Sequence, residues 1–380
     1  MAKKAYIGID GVAKAIKKSY VGVEGVARRI KKAYIGIGGV AKPCWCGGVL
    51  AYYGKITDLS SPRYAPAATT IGNYALFGGG WGGTVYRTTV DAYNRSLIRS
   101  LPAELGVGRH QLAAATVGDY ALFAGGLASE NINSSYVEAY DKSLTRTVVT
   151  ELSHPRASAN ATTLGSLAFI SGNLYKGSAN DVDVYNVLTK LAGVELSAAK
   201  SSKLGATSVG GYALFGGGLA SDGKESATMD AFDKSLTRTL PAELSVARDG
   251  ISATSVGKYA LFGGGYKSAG SNIVYATVDA YDKSLTRTLP AELSVARDQM
   301  ASATIWDYAL FAGGVADNYA VSTTVDAYDS TLTRIPQTAL SEKRYCASAT
   351  TIGDYALIGG GMMTTGGGYY SATVDAYTVI

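Results

Sequence analysis

Tyr74-Ala75-Leu76-Phe77-Gly78-Gly79 decides the fold, because it returns six more times at nearly constant spacing. Its first residue is matched by Tyr120, Leu167, Tyr212, Tyr259, Tyr308 and Tyr355, at steps of 46, 47, 45, 47, 49 and 47 residues. A second motif follows each copy: Asp91-Ala92-Tyr93, Glu138-Ala139-Tyr140, Asp183-Val184-Tyr185, Asp230-Ala231-Phe232, Asp279-Ala280-Tyr281, Asp326-Ala327-Tyr328 and Asp375-Ala376-Tyr377. A period in this range marks a chain built from repeated supersecondary units. Seven copies of each motif predict seven units.

Each unit reads as four strands. Strand a is rich in small residues, as in Ser252-Ala253-Thr254-Ser255, which suits a crowded inner ring. Strand b, Tyr259-Ala260-Leu261-Phe262, is apolar on both faces, the pattern of a strand covered on both sides. Strand c carries Val-Asp-Ala-Tyr, and strand d is Leu285-Thr286-Arg287-Thr288-Leu289. The seventh unit has no strand d, since Ile380 aligns with Ser284. Counting back 23 residues from Tyr74, as from Tyr308 to Leu285, reaches Ala51. Residues 51–57 are therefore expected to pair with 373–380 and close the ring, removing edges that invite aggregation. The expected fold class is all-β, a seven-bladed β-propeller over residues 47–380.

The double glycine ending strand b, followed by Val-Asp-Ala-Tyr-Asp, resembles the Kelch repeat, over about 330 of the 380 residues. The resemblance implies a Kelch-like propeller. Kelch repeats carry a Trp in strand d, where this chain has Thr-Arg-Thr or similar, so no Kelch subfamily's partner is implied.

Residues 1–46 follow a different period, of 14. Tyr6-Ile7-Gly8-Ile9-Asp10-Gly11-Val12-Ala13-Lys14 returns at Tyr20 and at Tyr34. Asp10-Gly11, Glu24-Gly25 and Gly38-Gly39 occupy the slot of a hairpin turn, whose central residues need positive φ. Lys17-Lys18 and Lys31-Lys32 mark the other turns, giving six short strands in a small β-hairpin-repeat meander. Residues 1–42 hold ten Lys or Arg against Asp10 and Glu24, about +8, while the whole chain is +5. The shift in charge coincides with the change of repeat and sets a domain boundary near residues 43–50. Lysines at turns and edges guard against strand-to-strand aggregation, and aromatics are few, so nucleic acid is not the expected partner. These repeats resemble short repeated segments in tail proteins of phages and prophages of Gram-positive bacteria. The resemblance implies an assembly anchor that meets other virion or tail proteins.

Little of the chain looks catalytic. No run of 18 uninterrupted apolar residues exists, so no membrane insertion is expected. No apolar stretch follows the basic start, so no signal peptide is read. Cys44, Cys46 and Cys346 are too few for a disulfide scaffold, and Cys44-Trp45-Cys46 lacks zinc-knuckle spacing. Copper-oxidase propellers of the Kelch type need two His, two Tyr and a Tyr–Cys crosslink, and no motif here assembles His110, His154, Cys346 and the tyrosines. The glycine runs at 78–80, 216–218, 263–265 and 359–361 precede no helix and no Lys-Ser/Thr, so they read as tight exits from strand b. Arg63, Arg109, Arg156, Arg248, Arg297 and Arg344 recur before strand a, with Ser201 as the exception. They are expected to pair with acids such as Glu104, Glu243 or Glu292, tying blade to blade. No catalytic residue, metal or cofactor is expected.

The b–c loops differ in every unit, while the a–b turns (Gly72-Asn73, Gly118-Asp119, Gly257-Lys258, Gly353-Asp354) are short and alike. The loops carry the candidate ligand-binding residues Trp81, Tyr86, Tyr136, Tyr175, Tyr266, Tyr275, Tyr319, Tyr369 and Tyr370. Rigid scaffolds place recognition in such loops, and Tyr and Trp offer broad contact at low entropic cost. The functional expectation is a non-enzymatic virion protein assembled in the host cytoplasm. It would be a homo-oligomer within its assembly and display the propeller to a host-surface glycan or protein. The alternative is an intracellular Kelch-type interaction module.

Overall fold

The computed structural model describes residues 48–129, 132–174, 179–202, 204–268 and 273–380, together with short strand segments within 6–46. Its contacts divide the chain into two units, Met1–Ala51 with Val379–Ile380, and Tyr52–Thr378.

In the first unit, Tyr6–Ile9 pairs with Val12–Ala15, Tyr20–Val23 with Val26–Arg29, and Lys32–Ile37 with Val40–Cys46. Each pair is a separate two-stranded sheet, and no ladder joins one hairpin to the next among the described residues. Three hairpins of the expected repeat are thus present. The pairings Ile9↔Val12, Val23↔Val26 and Ile37↔Val40 leave two-residue loops. The turn residues Asp10-Gly11, Glu24-Gly25 and Gly38-Gly39 themselves lie outside the described residues, as do Lys17-Lys18 and Lys31, while Lys32 begins a strand.

The second unit is a seven-bladed β-propeller. Blade 1 runs a Ala67–Ile71, b Tyr74–Gly78, c Val90–Asn94 and d Arg99–Ser100. Blade 2 follows with Ala113–Val117, Tyr120–Ala124, Val137–Tyr140 and Arg146–Val149. Blade 3 has Arg156–Leu164, Leu167–Leu174, Ala179–Asn186 and a short Thr189–Lys190. Its strand c also pairs with Val194–Ser202, a segment that is loop in the other blades. Blades 4, 5 and 6 begin at Gly205–Val209, Ser252–Val256 and Ala301–Ile305 and repeat the a-b-c-d order. Blade 7 takes Ser348–Ile352, Tyr355–Gly359 and Val374–Val379, and its outer strand is Leu50–Ile56. The strand from the start of the repeats thus completes the last blade. Strand d itself is shorter than its sequence pattern: Leu285 sits in the c–d turn at φ +61, and only Arg287–Thr288 pairs.

Small residues line the axis because the a strands approach one another there. Thr69 Oγ1 and Thr116 Oγ1 stand 2.7 Å apart, Thr254 and Thr304 2.8 Å, and Thr70 and Thr350 2.8 Å across the junction of blades 1 and 7. Strand b is buried between neighbours, and its closing glycine has a packing reason beyond the tight exit. A Cβ on Gly78 would lie 2.7 Å from the Phe123 ring of the next blade, and one on Gly263 3.0 Å from Phe311. Where the next blade offers Ile170 or Ile358 instead of Phe, the slot holds Ala124 or Ala312. Volume is conserved across the interface, as dense packing requires. Ser171, facing blade 4, breaks the pattern.

A buried ion pair repeats inside the blades. Arg248 Nη2 meets Asp279 at 2.7 Å and Arg109 meets Glu138 at 2.7 Å, all four side chains essentially inaccessible. Arg63–Asp91, Arg297–Asp326 and Arg344–Asp375 repeat the contact, and Arg156–Asp183 closes at 3.0 Å. This corrects the expected pairing with Glu104, Glu243 or Glu292. The partner is the acid of strand c in the same blade, buried where only a paired charge is tolerated. The backbone N–H of Ser245, Ser294 or Ser341 caps the same carboxylate. On its outer side, strand d supplies a second cation, as with Arg146–Glu138 at 2.5 Å and Lys190–Asp183 at 2.9 Å. In blade 7 that place is taken by Tyr52, whose hydroxyl donates to Asp375 at 2.6 Å. Burial and this bond push the Tyr52 phenol up to about 12. Blade-to-blade ties come instead from the strand c tyrosines: Tyr140 donates to the Ala103 carbonyl at 2.8 Å and Tyr328 to that of Ala291 at 2.8 Å.

Blade 4 departs from the others. The spacing Leu-Ser-x-x-Arg, as in Leu244-Ser245-Val246-Ala247-Arg248, places Lys200 and not Ser201 in the arginine slot. Lys200 is 4% exposed, and its ammonium donates to Ser226 Oγ and Thr228 Oγ1. Burial pushes it down to about 8. Phe232 replaces the strand c tyrosine, and burial raises the Asp230 carboxyl. A lysine held below its unfolded value carries a burial cost at neutral pH, relieved as pH rises from the folded toward the unfolded value. Urea unfolding at pH 7.5 and 9.5 is expected to show the Lys200→Met protein losing its stability advantage over wild type, by on the order of 2 kcal/mol. The buried tyrosines ionise alike in both proteins, so their contribution cancels. A difference independent of pH would contradict the downward shift of Lys200 in the fold.

Candidate functional site

One end of the propeller gathers the b–c loops and the approaches to strand a. Short antiparallel bridges join them: Tyr64 with Trp81, His110 with Leu127, Asp249 with Tyr266, Asp298 with Val315, and Tyr345 with Met362. Around the axis the residue two after each buried arginine takes positive φ: Ala65, Gln111, Ser158, Gly250, Gln299 and Cys346. Their backbones bond in sequence around the opening, Gln111 N–H to Ala65 O at 3.0 Å, Ala65 to Cys346 at 3.1 Å, Cys346 to Gln299 at 3.1 Å and Gln299 to Gly250 at 3.1 Å. This rim fixes the bases of the loops, and it also turns Cys346 Sγ onto the Gln299 side-chain oxygen at 3.0 Å.

The loop aromatics fall into distinct groups. Trp81 stacks on His110 at 6.0 Å and meets Tyr370 edge-on at 5.6 Å, while Tyr86 and Tyr64 contact His110 at 5.5 and 5.8 Å. His110 is buried there, and desolvation pushes it down to about 4. Trp81, Tyr86 and Tyr370 are half-buried and belong to one aromatic group around His110. Tyr319 and Tyr369 are 66% and 68% exposed, and Tyr136 is 42% exposed. Tyr275 is half-buried, and Tyr175 lies outside the described residues.

Tyr266 and Tyr319 help to line a cavity of about 680 Å³, shared with Tyr64, Tyr345, Asp249, Asp298 and Asp317. Asp249 and Asp298 are 7% and 6% exposed, and Gln299 donates to Asp298 at 2.9 Å. Burial and then the nearby Tyr319, Asp249 and Asp298 raise the Tyr266 phenol. The acids and Tyr64 escaped sequence reasoning, because they stand in the inter-blade approaches and not in the variable loops. The signal available was the alternation of residue type after each arginine, Tyr64, His110, Ala157, Asp249, Asp298 and Tyr345.

Tyr64 also approaches Cys346, whose sulfur, with burial, raises the phenol. Tyr64, Tyr345, His110 and Cys346 thus share one region, which the sequence had not assembled. The second histidine, His154, is 57% exposed on blade 3 and contacts Asp181 at 3.2 Å, away from that group. No cluster of three or more His, Cys, Asp or Glu suited to a metal gathers among the described residues. No helix among them is long and apolar enough to cross a membrane. No protein-family model matches the chain, and no curated protein is similar to it in sequence.

Proposed function

We propose that this chain is a non-enzymatic structural protein of a phage or phage-tail-like particle, carrying a Kelch-like propeller for recognition of a host surface. The observation that carries the reading is the concentration of exposed Tyr136, Tyr319 and Tyr369, and of a tyrosine- and acid-lined cavity, on the one end where the loops differ between blades. A closed ring of seven blades holds those loops rigidly, which lowers the entropic cost of binding. The basic hairpin repeats of residues 1–42, with their likeness to phage tail segments, support an anchoring role toward other virion or tail proteins. Repetition of the chain within a particle makes weak contacts to a surface glycan or protein effective together.

The test is composition. Particles purified from producing cells are expected to contain the chain as a stoichiometric component. A chain lacking residues 1–42 is expected to fold, with an unchanged propeller melting transition, and to be absent from particles. Wild-type chain found only in the soluble cell extract would contradict the reading and favour an intracellular interaction module.

A further inference from the structure

We infer that the cavity between the loops of blades 5, 6 and 7 is a binding site for a saccharide bearing a free ammonium group. The inference deepens the recognition reading above, since the cavity lies on the same end of the propeller. The wall combines Tyr266, Tyr319 and Tyr345 with Asp249, Asp298 and Asp317, and none of its described lining residues is Lys, Arg or His. Arg248 and Arg297, next in sequence to two of these acids, turn inward to Asp279 and Asp326. The Asp298 carboxylate packs against the turn at Gly250, which follows Asp249 in sequence: a Cβ there would stand 3.2 Å from Asp298 Oδ2, and φ is +62.

Carboxylates in a partly desolvated wall favour a cationic ligand through charge-assisted hydrogen bonds. Tyrosine faces add cation–π attraction and stacking on a sugar ring. At about 680 Å³ the cavity falls in the range of small-ligand sites and exceeds what an ammonium alone would fill. The amides of Gln299 and Asn318 and the hydroxyl of Thr365 supply neutral hydrogen-bonding groups for sugar hydroxyls. A bare choline or lysine side chain would leave those groups unused, which favours the amino sugar.

The experiment is titration calorimetry on the purified full chain with chitotriose in its deacetylated form, its N-acetylated form, choline, and Nα-acetyl-lysine amide. The deacetylated trimer is expected to bind, and the N-acetylated trimer to bind at least tenfold more weakly. Asp317→Asn and Tyr319→Ala, both at exposed positions, are expected to weaken the deacetylated trimer at least threefold, and Asp298→Asn at least tenfold with an unchanged melting temperature. If Asp298→Asn fails to fold, the two exposed variants decide. Equal binding of both trimers, binding of choline or the lysine amide but not the sugar, or full affinity in the exposed variants would overturn the inference. Because small probes and purified protein are used, failure here leaves surface recognition by the exposed tyrosines to be judged on its own.

Discussion

Truncating the chain before Asp375 is expected to abolish cooperative unfolding. Residues 375–380 include Asp375, Ala376 and Tyr377, each fully buried, within strand c of blade 7. Their loss strips Arg344 of its carboxylate and Tyr52 of its acceptor, and leaves the Leu50–Ile56 strand without its neighbour. Removing one large buried side chain costs about 3–5 kcal/mol, and a domain's whole margin is only about 5–15 kcal/mol. The truncated protein should aggregate or melt without a sharp transition, as read by calorimetry and light scattering. A monomeric product with the wild-type transition would show that the ring does not depend on this strand pair.

The second large effect concerns the buried pair. Arg248→Ala leaves Asp279 charged at 0% exposure, with the Ser245 N–H at 2.9 Å, the Ser245 hydroxyl at 3.1 Å and the more distant Arg287, at 3.8 Å, as remaining partners. Breaking such a pair from one side costs about 3–5 kcal/mol. Removing both charges together, Arg248→Met with Asp279→Leu, should cost much less, because no unpaired charge is then buried. Urea denaturation with a common slope measures both. Equal losses in the single and double variants would mean that packing, and not the charge, sets the cost.

The parts of this molecule that could be read from sequence are those fixed by repetition. Seven copies of Tyr-Ala-Leu-Phe-Gly and of Asp-Ala-Tyr gave the blade count, because each blade must bury the same strands in the same order. The small residues of strand a announced the crowded axis. What could not be read was which buried side chains meet at a distance. Arg248 and Asp279 stand 31 residues apart, and Glu243, nearer in sequence, was the more obvious partner until the fold carried strand c inward. Lys200 was hidden for a related reason: counting 11 residues back from strand b, as from Tyr259 to Arg248, reaches Ser201, whereas aligning on the capping Ser197, whose N–H donates to Asp230 at 2.7 Å, places Lys200.

The candidate site was half legible. Variation in length and composition located the loop face, because loops between fixed strands are free to differ. Composition alone did not separate Trp81, which packs on His110, from Tyr319, which faces solvent, since both are aromatic residues in loops of the same kind. The acids of the cavity were missed because Asp249 and Asp298 follow the buried arginines, and their nearness to Tyr266 and Tyr319 arises only when neighbouring blades stand side by side.

Recognition of a surface by the variable end of the propeller is the function proposed. Its most direct test is adsorption to host cells of particles carrying Tyr136→Ala, Tyr319→Ala and Tyr369→Ala together, three exposed side chains whose loss should leave the melting temperature nearly unchanged. Adsorption reduced at least tenfold, with normal particle assembly, is the predicted result. Wild-type adsorption by correctly assembled triple-variant particles would contradict it.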